Sequence, residues 1–412
     1  MALSAQLAYP AIVAARLLLA LSPLPDILKD DNQLSSPLTS YSRLREGIYL
    51  FRNGIDPYAG GTFRHSPLFL SLFSTVLPNS QTLSSILWTL ADAVAAGALV
   101  RIWRARSKTS GARREGIIAA SYLLNPYLFL SSLALSTSTF ENALALLALM
   151  FACEGRPSPA LLTLALSAQL SLPTALLLPA ITMLLLTTPL SQLARPRAFP
   201  TPQLFAKRTG RMLAEFGTYF AILTAAATLA AGGTSWAQNT WGAGLALPDL
   251  TPNPGLWWYF FTEMFDHFRP FFLVVFSVHL VIYVVPLCVK FQHDPLYAAF
   301  LLFGVFAVFK PYATLPDSGI FISMLSLFPE VYPYLRYPLV TALLHVHASA
   351  LLPLFHHLWT RAGTGNANFF YASTLVLGLA GGGGLIDCAW AGLRVAIGGE
   401  GKEGEEWVIV QE

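Results

Sequence analysis

Charge is what this chain has least of. Only 11% of its 412 residues are Asp, Glu, Lys or Arg, against 55% hydrophobic. A soluble domain normally carries roughly a quarter of its residues charged, so much of this surface must be covered by lipid. Cysteine is scarce as well. Cys153, Cys288 and Cys388 all fall near expected cytoplasmic span ends, which argues for free thiols and against a disulfide framework. No Asn-x-Ser/Thr triplet occurs, so no N-glycan acceptor is present. The net charge of +3 is too small for a nucleic-acid footprint. No metal site is expected, because His345 and His347 diverge on a helix and the adjacent His356 and His357 do too. No glycine-rich nucleotide loop appears, and Gly381–Gly384 lies within an apolar run where close helix packing or a break explains it. No matched pair of broken helices marks the internal repeat of a transporter.

What the chain has instead is long apolar runs. Spans are expected near 5–24, 82–103, 117–133, 139–153, 158–172, 173–188, 213–232, 268–290, 294–309, 313–328, 334–358 and 367–391, about twelve in all. The sequence thus predicts an all-α polytopic membrane protein, with residues 1–397 as one domain and a disordered acidic tail over 398–412. The basic start and cleavage site of a removable signal peptide are missing, so the first span is expected to stay. Arg101, Arg104, Arg106, Lys108, Arg113 and Arg114 cluster in one loop, and Arg195, Arg197, Lys207, Arg208 and Arg211 in another. Lys and Arg concentrate on the cytoplasmic side, and twelve spans place both clusters there together. Both termini are then cytoplasmic, and the loops 25–81 and 233–267 face the opposite side, the lumen of an endomembrane.

That opposite side carries the distinctive residues. Pro67–Phe73 is apolar but short and reads as an interfacial helix. Ser36–Phe51 reads as an amphipathic helix, with Ser36 or Ser40 as N-cap and a stripe of Tyr41, Leu44, Ile48 and Phe51. The elbow Pro248-Asp-Leu-Thr-Pro-Asn253 cannot be helical throughout, and Trp257, Trp258 and Tyr259 after it suit a membrane boundary. Its Asp249, Asn253, Glu263 and Asp266 either contact a ligand or order the elbow. Asn366 and Asn368 precede the last span; their amides suit sugar hydroxyls or a phosphodiester, or they cap the helix. Lys310 ends the span before Pro311, where it pairs with a lipid phosphate or simply snorkels. Within the spans, Asp92 is a functional candidate or a structural hydrogen bond. Arg16 in the first span reads as a snorkelling or bundle-facing arginine.

A large loop after span one, with a surface helix and an Asp56-Pro-Tyr58 turn, resembles the GT-C class of multispanning glycosyltransferases. In the related GPI mannosyltransferases an acidic pair precedes that helix. Here the stretch Leu34-Ser-Ser-Pro-Leu-Thr-Ser-Tyr41 has no carboxylate, and Asp30-Asp31 comes several residues earlier. An ordered set of motifs narrows the resemblance. Ser36-Pro-Leu-Thr-Ser, Asp56-Pro-Tyr-Ala-Gly, Tyr122-Leu-Leu-Asn-Pro-Tyr127, the 248–253 elbow, Trp258-Tyr-Phe-Phe-Thr-Glu-Met-Phe265, Phe309-Lys-Pro-Tyr312 and Asn366-Ala-Asn-Phe-Phe-Tyr371 follow in this order. Together they resemble the U-subunit family of the GPI transamidase complex, from about residue 36 to residue 371. The departures are the short basic loop at 104–114, Arg361, and the Gly381–Gly384 run.

The resemblance implies a non-catalytic subunit in the endoplasmic reticulum membrane that binds and presents the GPI glycolipid. The catalytic Cys–His pair would belong to a caspase-like partner subunit, with other transamidase subunits and membrane lipids as further partners. No catalytic residue, metal or cofactor is expected in this chain. The resemblance also makes Asn366 and Asn368 face the lipid glycan, with Lys310 as a candidate for its phosphate. The alternative is a mannosyltransferase using dolichol-phosphate mannose, with Asp30 and Asp31 as a displaced pair.

Overall fold

The computed structural model describes residues 2–77, 80–107, 111–194 and 202–398. The expected tail past Gly398 lies outside the described residues, as do Pro78, Lys108, Arg195 and Arg197. Among the described residues every regular element is a helix. Each of the apolar runs found in the sequence falls on helical chain. Five helices are long and apolar enough to cross a membrane: Gln81–Arg106, Lys207–Ala231, Asp266–Lys290, Pro338–Thr360 and Ala367–Ile397. A sixth forms if Ala112–Leu123 and Pro126–Leu133, bent by 53°, count as one span. The remaining apolar helices, among them Ser138–Cys153 and Pro295–Phe309, have 10–17 residues.

Helices sort by how much of their circumference is apolar. Pro295–Phe309 is apolar all round, and every residue except Ala307 and Phe309 is buried. Ser138–Cys153 contributes to the same buried cluster. Pro338–Thr360 buries only Ala348 and Leu352, because its one packing face meets the last helix and the other faces outward. The last helix packs on both Pro338–Thr360 and Pro295–Phe309. Glycines allow the approach: a Cβ at Gly392 would lie 2.4 Å from the Tyr297 ring.

The bend at Leu124–Asn125 has a local cause. Pro126 has no N–H and its ring blocks a continuous helix. Asn125 caps the second half, its Oδ1 accepting the Tyr127 N–H at 3.0 Å. Carbonyls released by the break are taken up elsewhere, as apolar surroundings require. The Ser323 hydroxyl donates to Ser121 O at 2.7 Å, and the Arg16 guanidinium donates to Leu123 O. The same guanidinium pairs with Asp92 and lies 4.9 Å from the Phe129 ring centroid. Arg16 is thus bundle-facing, and Asp92 has its partner in the first helix.

The amphipathic helix is Tyr41–Arg52, and Ser40 is its cap, accepting the Arg43 N–H at 3.4 Å. Tyr41, Leu44 and Ile48 are buried as expected. Phe51 is exposed instead, since the helix ends at Arg52 and its cover stops at Ile48. Gly47 completes the buried face, where any Cβ would collide with the Phe63 ring at 2.1 Å. The Pro67–Thr75 helix packs on this one and on Pro202–Ala231. All three cysteines are free and buried.

Candidate functional site

The elbow at 248–256 is tied down at both ends. Asp249 accepts from the Thr251 N–H at 3.1 Å and pairs with Arg43 of the amphipathic helix at 2.8 Å. Burial pushes the Asp249 carboxyl up, but the hydrogen bonds from Thr251 and the charge of Arg43 outweigh that and hold it below the ordinary carboxylate range. Asn253 is buried and folds the turn, accepting the Gly255 N–H at 2.8 Å and donating to Thr251 O at 3.0 Å. On the other side, the Asp249 N–H donates to the Tyr312 hydroxyl at 3.1 Å, and Trp257 Nε1 donates to Phe309 O at 3.1 Å. The elbow therefore straps the amphipathic helix to the bend that follows Pro295–Phe309. Asp249 and Asn253 are used in ordering it, whereas Glu263 and Asp266 are exposed.

The short Trp257–Glu263 helix carries this strap on to the last helix. Trp258 is buried among Trp359, Phe370 and Tyr371, with ring centroids 5.8 to 6.1 Å away. Tyr259 stacks on Tyr371 at 4.7 Å, and the Tyr371 hydroxyl donates to Leu256 O at 3.1 Å. On this aromatic seat stand Asn366 and Asn368, both exposed. Asn366 Oδ1 accepts the Phe369 N–H at 3.2 Å, the bond of an N-cap residue. Asn368 Oδ1 accepts the Tyr259 hydroxyl. Each oxygen is therefore used to fix its side chain, which leaves the amide N–H groups as the side's donors.

Lys310 lies apart from this edge in a different setting. Its ammonium is buried between Glu141 at 2.8 Å and Asp317 at 2.9 Å. Asp317 also caps its helix, accepting from the Thr314 N–H at 2.8 Å and the Thr314 hydroxyl at 3.0 Å. Two carboxylates around one ammonium leave a local excess of negative charge. Which acids meet Lys310 is not visible in the sequence, although an acid in the first turn of an apolar helix, as Glu141 is, asks for a partner.

Asp30 and Asp31 each accept one hydrogen bond nearby. Asp31 Oδ1 accepts the Gln33 N–H at 2.7 Å, and Asp30 Oδ1 accepts the Ser42 hydroxyl at 2.5 Å. Beside Asp31 opens a groove of about 740 Å³ between the broken pair and Pro338–Thr360, lined chiefly by apolar side chains. Among the described residues no cluster of three metal-ligating side chains occurs.

The sequence of the whole region matches one family model. That model, described as GPI transamidase subunit PIG-U, covers residues 10–377. This chain belongs to the PIG-U family. A budding-yeast (Saccharomyces cerevisiae) protein named GPI transamidase component GAB1 is 34% identical over 368 residues, 88% of this chain and 87% of its own. A GAB1 homolog of Schizosaccharomyces pombe is 33% identical over 84% of this chain and 83% of its own. The human GPI-anchor transamidase component PIGU is 30% identical over 88% of this chain and 87% of its own. The PIG-U match takes in the elbow, Lys310 and the Asn366–Asn368 edge together. Reading the sequence singled out both asparagines but missed the contact of Tyr259 with Asn368 and the packing of Tyr259 on Tyr371. Their signal was the interfacial aromatic run after the elbow, which named the segment without naming its contacts.

Proposed function

We propose that this chain is a non-catalytic subunit of GPI transamidase that binds the GPI glycolipid and presents its terminal amine to a caspase-like catalytic subunit. The Asn366–Asn368 edge carries this reading: two exposed amides, each fixed through its oxygen, beside the half-buried Tyr259 and Tyr371. Fixed donors suit glycan hydroxyls or a phosphodiester, because little side-chain freedom is lost on binding. Holding the amine in register with the acyl-enzyme removes orientational entropy from the barrier. Lys310 belongs to the scaffold instead. A phosphate there would add negative charge beside two carboxylates that already match the ammonium.

The same reading places the chain in the endoplasmic reticulum membrane, with twelve spans on a GT-C-like scaffold, both termini cytoplasmic and the elbow luminal. The apolar helices that lie within the expected runs support the membrane reading, five or six of them long enough to cross by themselves. So does one large buried cluster, which draws on residues from Ala95 to Val395. The other transamidase subunits and membrane lipids would cover the outward faces. The rival mannosyltransferase needs an acidic pair before the amphipathic helix, and the stretch Leu34–Tyr41 that precedes it has no carboxylate.

The test separates binding from capping. Asn366→Ser keeps a capping oxygen and removes the amide donors, whereas Asn366→Ala removes both. In the purified complex, Asn366→Ser with Asn368→Ala should cut GPI attachment to a reporter at least tenfold, with subunit recovery unchanged. Unchanged attachment in that double variant would sink the binding role. Full activity in Asn366→Ser, with loss only in Asn366→Ala, would reduce Asn366 to a helix cap.

A further inference from the structure

We propose that this chain holds a glycerophospholipid of the surrounding bilayer, separate from the glycolipid considered above, with its phosphodiester at Arg64 and Tyr312 and one acyl chain in the apolar slot beside them. This needs only that the apolar helices lie in a membrane, and the asparagine edge takes no part in it. Arg64, in the loop before Pro67–Thr75, is only 8% exposed. Its Nη1 donates to the main-chain and side-chain oxygens of Asn239 at 3.2 and 3.3 Å, while its Nε is buried without a partner. Among the described residues no carboxylate pairs with it.

Charge around Arg64 does not balance. Burial lowers its pKa, and Asp249 and Arg43 act on it through space. Asp249 is already bonded to Arg43 at 2.8 Å, so two guanidiniums share one carboxylate and one positive charge is left over. The buried Tyr312 hydroxyl accepts the Asp249 N–H at 3.1 Å, and among the described residues its own proton has no acceptor. A buried charge and a buried donor left unmatched are both costly. A phosphodiester carries one negative charge and accepts from guanidinium and hydroxyl alike, which closes the balance. A phosphomonoester, at about −1.5 to −2 charges, overshoots it.

Tyr312 also belongs to an apolar slot of about 210 Å³, as do Thr240 and Trp241, which follow Asn239 in the chain. Leu170, Leu245 and Val281 are further walls, and the last two are exposed, so the slot opens outward. Arg269 holds the Leu247 carbonyl at 2.6 Å and marks the loop end of the helix that carries the slot residue Ser277. From Arg269 to Ser277 that helix advances about 12 Å at 1.5 Å per residue, within the half of the ~30 Å hydrocarbon core that one leaflet fills. The volume is below the ~300 Å³ of sites that enclose a whole ligand, so the slot takes a stretch of one chain and leaves the rest in the bilayer. Thr240 Oγ1 donates to Trp236 O at 2.9 Å, and Lys310, another wall residue, is held by its two carboxylates. Trp241 Nε1, by contrast, is buried without an acceptor. An ester carbonyl, set just below the phosphate in a glycerophospholipid, supplies one. A polyprenyl monophosphate has neither that ester nor the single charge.

The experiment uses the intact complex in detergent, incubated with trace phosphatidylcholine carrying a photoactivatable diazirine in one acyl chain, then washed so that only held lipid is labelled. The phosphodiester is the only negative charge on that probe. Labelling is expected on peptides covering 170–176, 240–245 and 277–281, undiminished by excess GPI and by the asparagine substitutions. Arg64→Gln keeps a donor for Asn239 and removes the charge. A Cβ at Gly244 meets nothing within 4 Å, so Gly244→Phe fills the slot without touching the arginine. Each variant should cut labelling of those peptides at least fivefold, with subunit recovery unchanged. Labelling absent there in the parent, or unchanged in Arg64→Gln or in Gly244→Phe, overturns the site. Displacement of the probe by GPI would give the slot to the glycolipid, and stronger labelling by a diazirine polyprenyl monophosphate would give it to another lipid class; either result sinks the proposal.

Discussion

Lys310 and the Asn366–Asn368 edge were both candidate contacts for one anionic glycolipid, and the fold treats them in opposite ways. Lys310 is turned inward and matched by Glu141 and Asp317. The asparagines stand at the surface, with oxygens committed and amide donors left. A cation near a membrane boundary is costly unless paired, so the bundle recruits acids for it and in doing so removes it from ligand chemistry. Neutral amides carry no such demand. They can wait in water for a ligand at little cost.

The largest expected effect tests the inward half of that contrast. Lys310→Met strands two neighbouring buried carboxylates, and removing one partner of a buried pair costs about 3–5 kcal/mol. Thermal unfolding of the detergent-purified complex should fall accordingly, and Glu141→Gln with Asp317→Asn added to Lys310→Met should restore much of it. Asn at 317 keeps the oxygen that caps Thr314. If Lys310→Met kept full stability and lost GPI attachment, the contrast would collapse and Lys310 would return as a ligand residue.

His65 extends the comparison to a buried neutral group. It sits in the loop before Pro67–Thr75, bonded through Nε2 to Ser40 O at 3.0 Å and stacked on Phe69. Burial pushes its pKa down to about 4. A depressed histidine binds fewer protons when folded, so its stabilisation is complete above the ordinary value of about 6.5 and is lost as pH falls toward 4. The loss approaches about 3 kcal/mol across that window. Proteolysis of the 41–66 region should therefore accelerate between pH 6.5 and 4.5 in the parent, and much less so in His65→Phe.

How much of this was legible follows from how local each feature is. The Ser40 cap and the apolar runs depend on neighbours in sequence, and they appear where the sequence places them; the break at Asn125–Pro126 interrupts a run read as one span, although its cause, Pro126, is local too. The Phe51 position failed because cover comes from Phe63 and the loop beyond the helix, which the periodicity of one helix cannot report. Partner choice was harder still. Glu141 lies 169 residues from Lys310, Asp249 lies 206 from Arg43, and Asn368 lies 109 from Tyr259. Arg16 and Asp92 were halfway legible: lone opposite charges in two apolar helices have few ways to be satisfied except by each other. The asparagine edge was found by its residue types, but its seat depends on where the elbow docks.

A smaller effect measures that docking. Arg43 and Asp249 are each only partly covered, with side chains 25% and 20% exposed, so solvent screens their attraction. Arg43→Ala should cost the fold about 1 kcal/mol or less. Its second bond, to Thr62 O at 3.0 Å, would be lost with it, so Asp249→Asn is the cleaner probe of the charge alone. Because the elbow also holds Trp257–Glu263 against the last helix, loosening it should reach Asn368 through Tyr259. Hydrogen exchange at residues 366–371 is the measurement. Faster exchange there in Asp249→Asn, with the Pro295–Phe309 core unchanged, means the strap sets the asparagine edge from a distance. Unchanged exchange means the aromatic seat holds the edge by itself, and the elbow serves only the amphipathic helix.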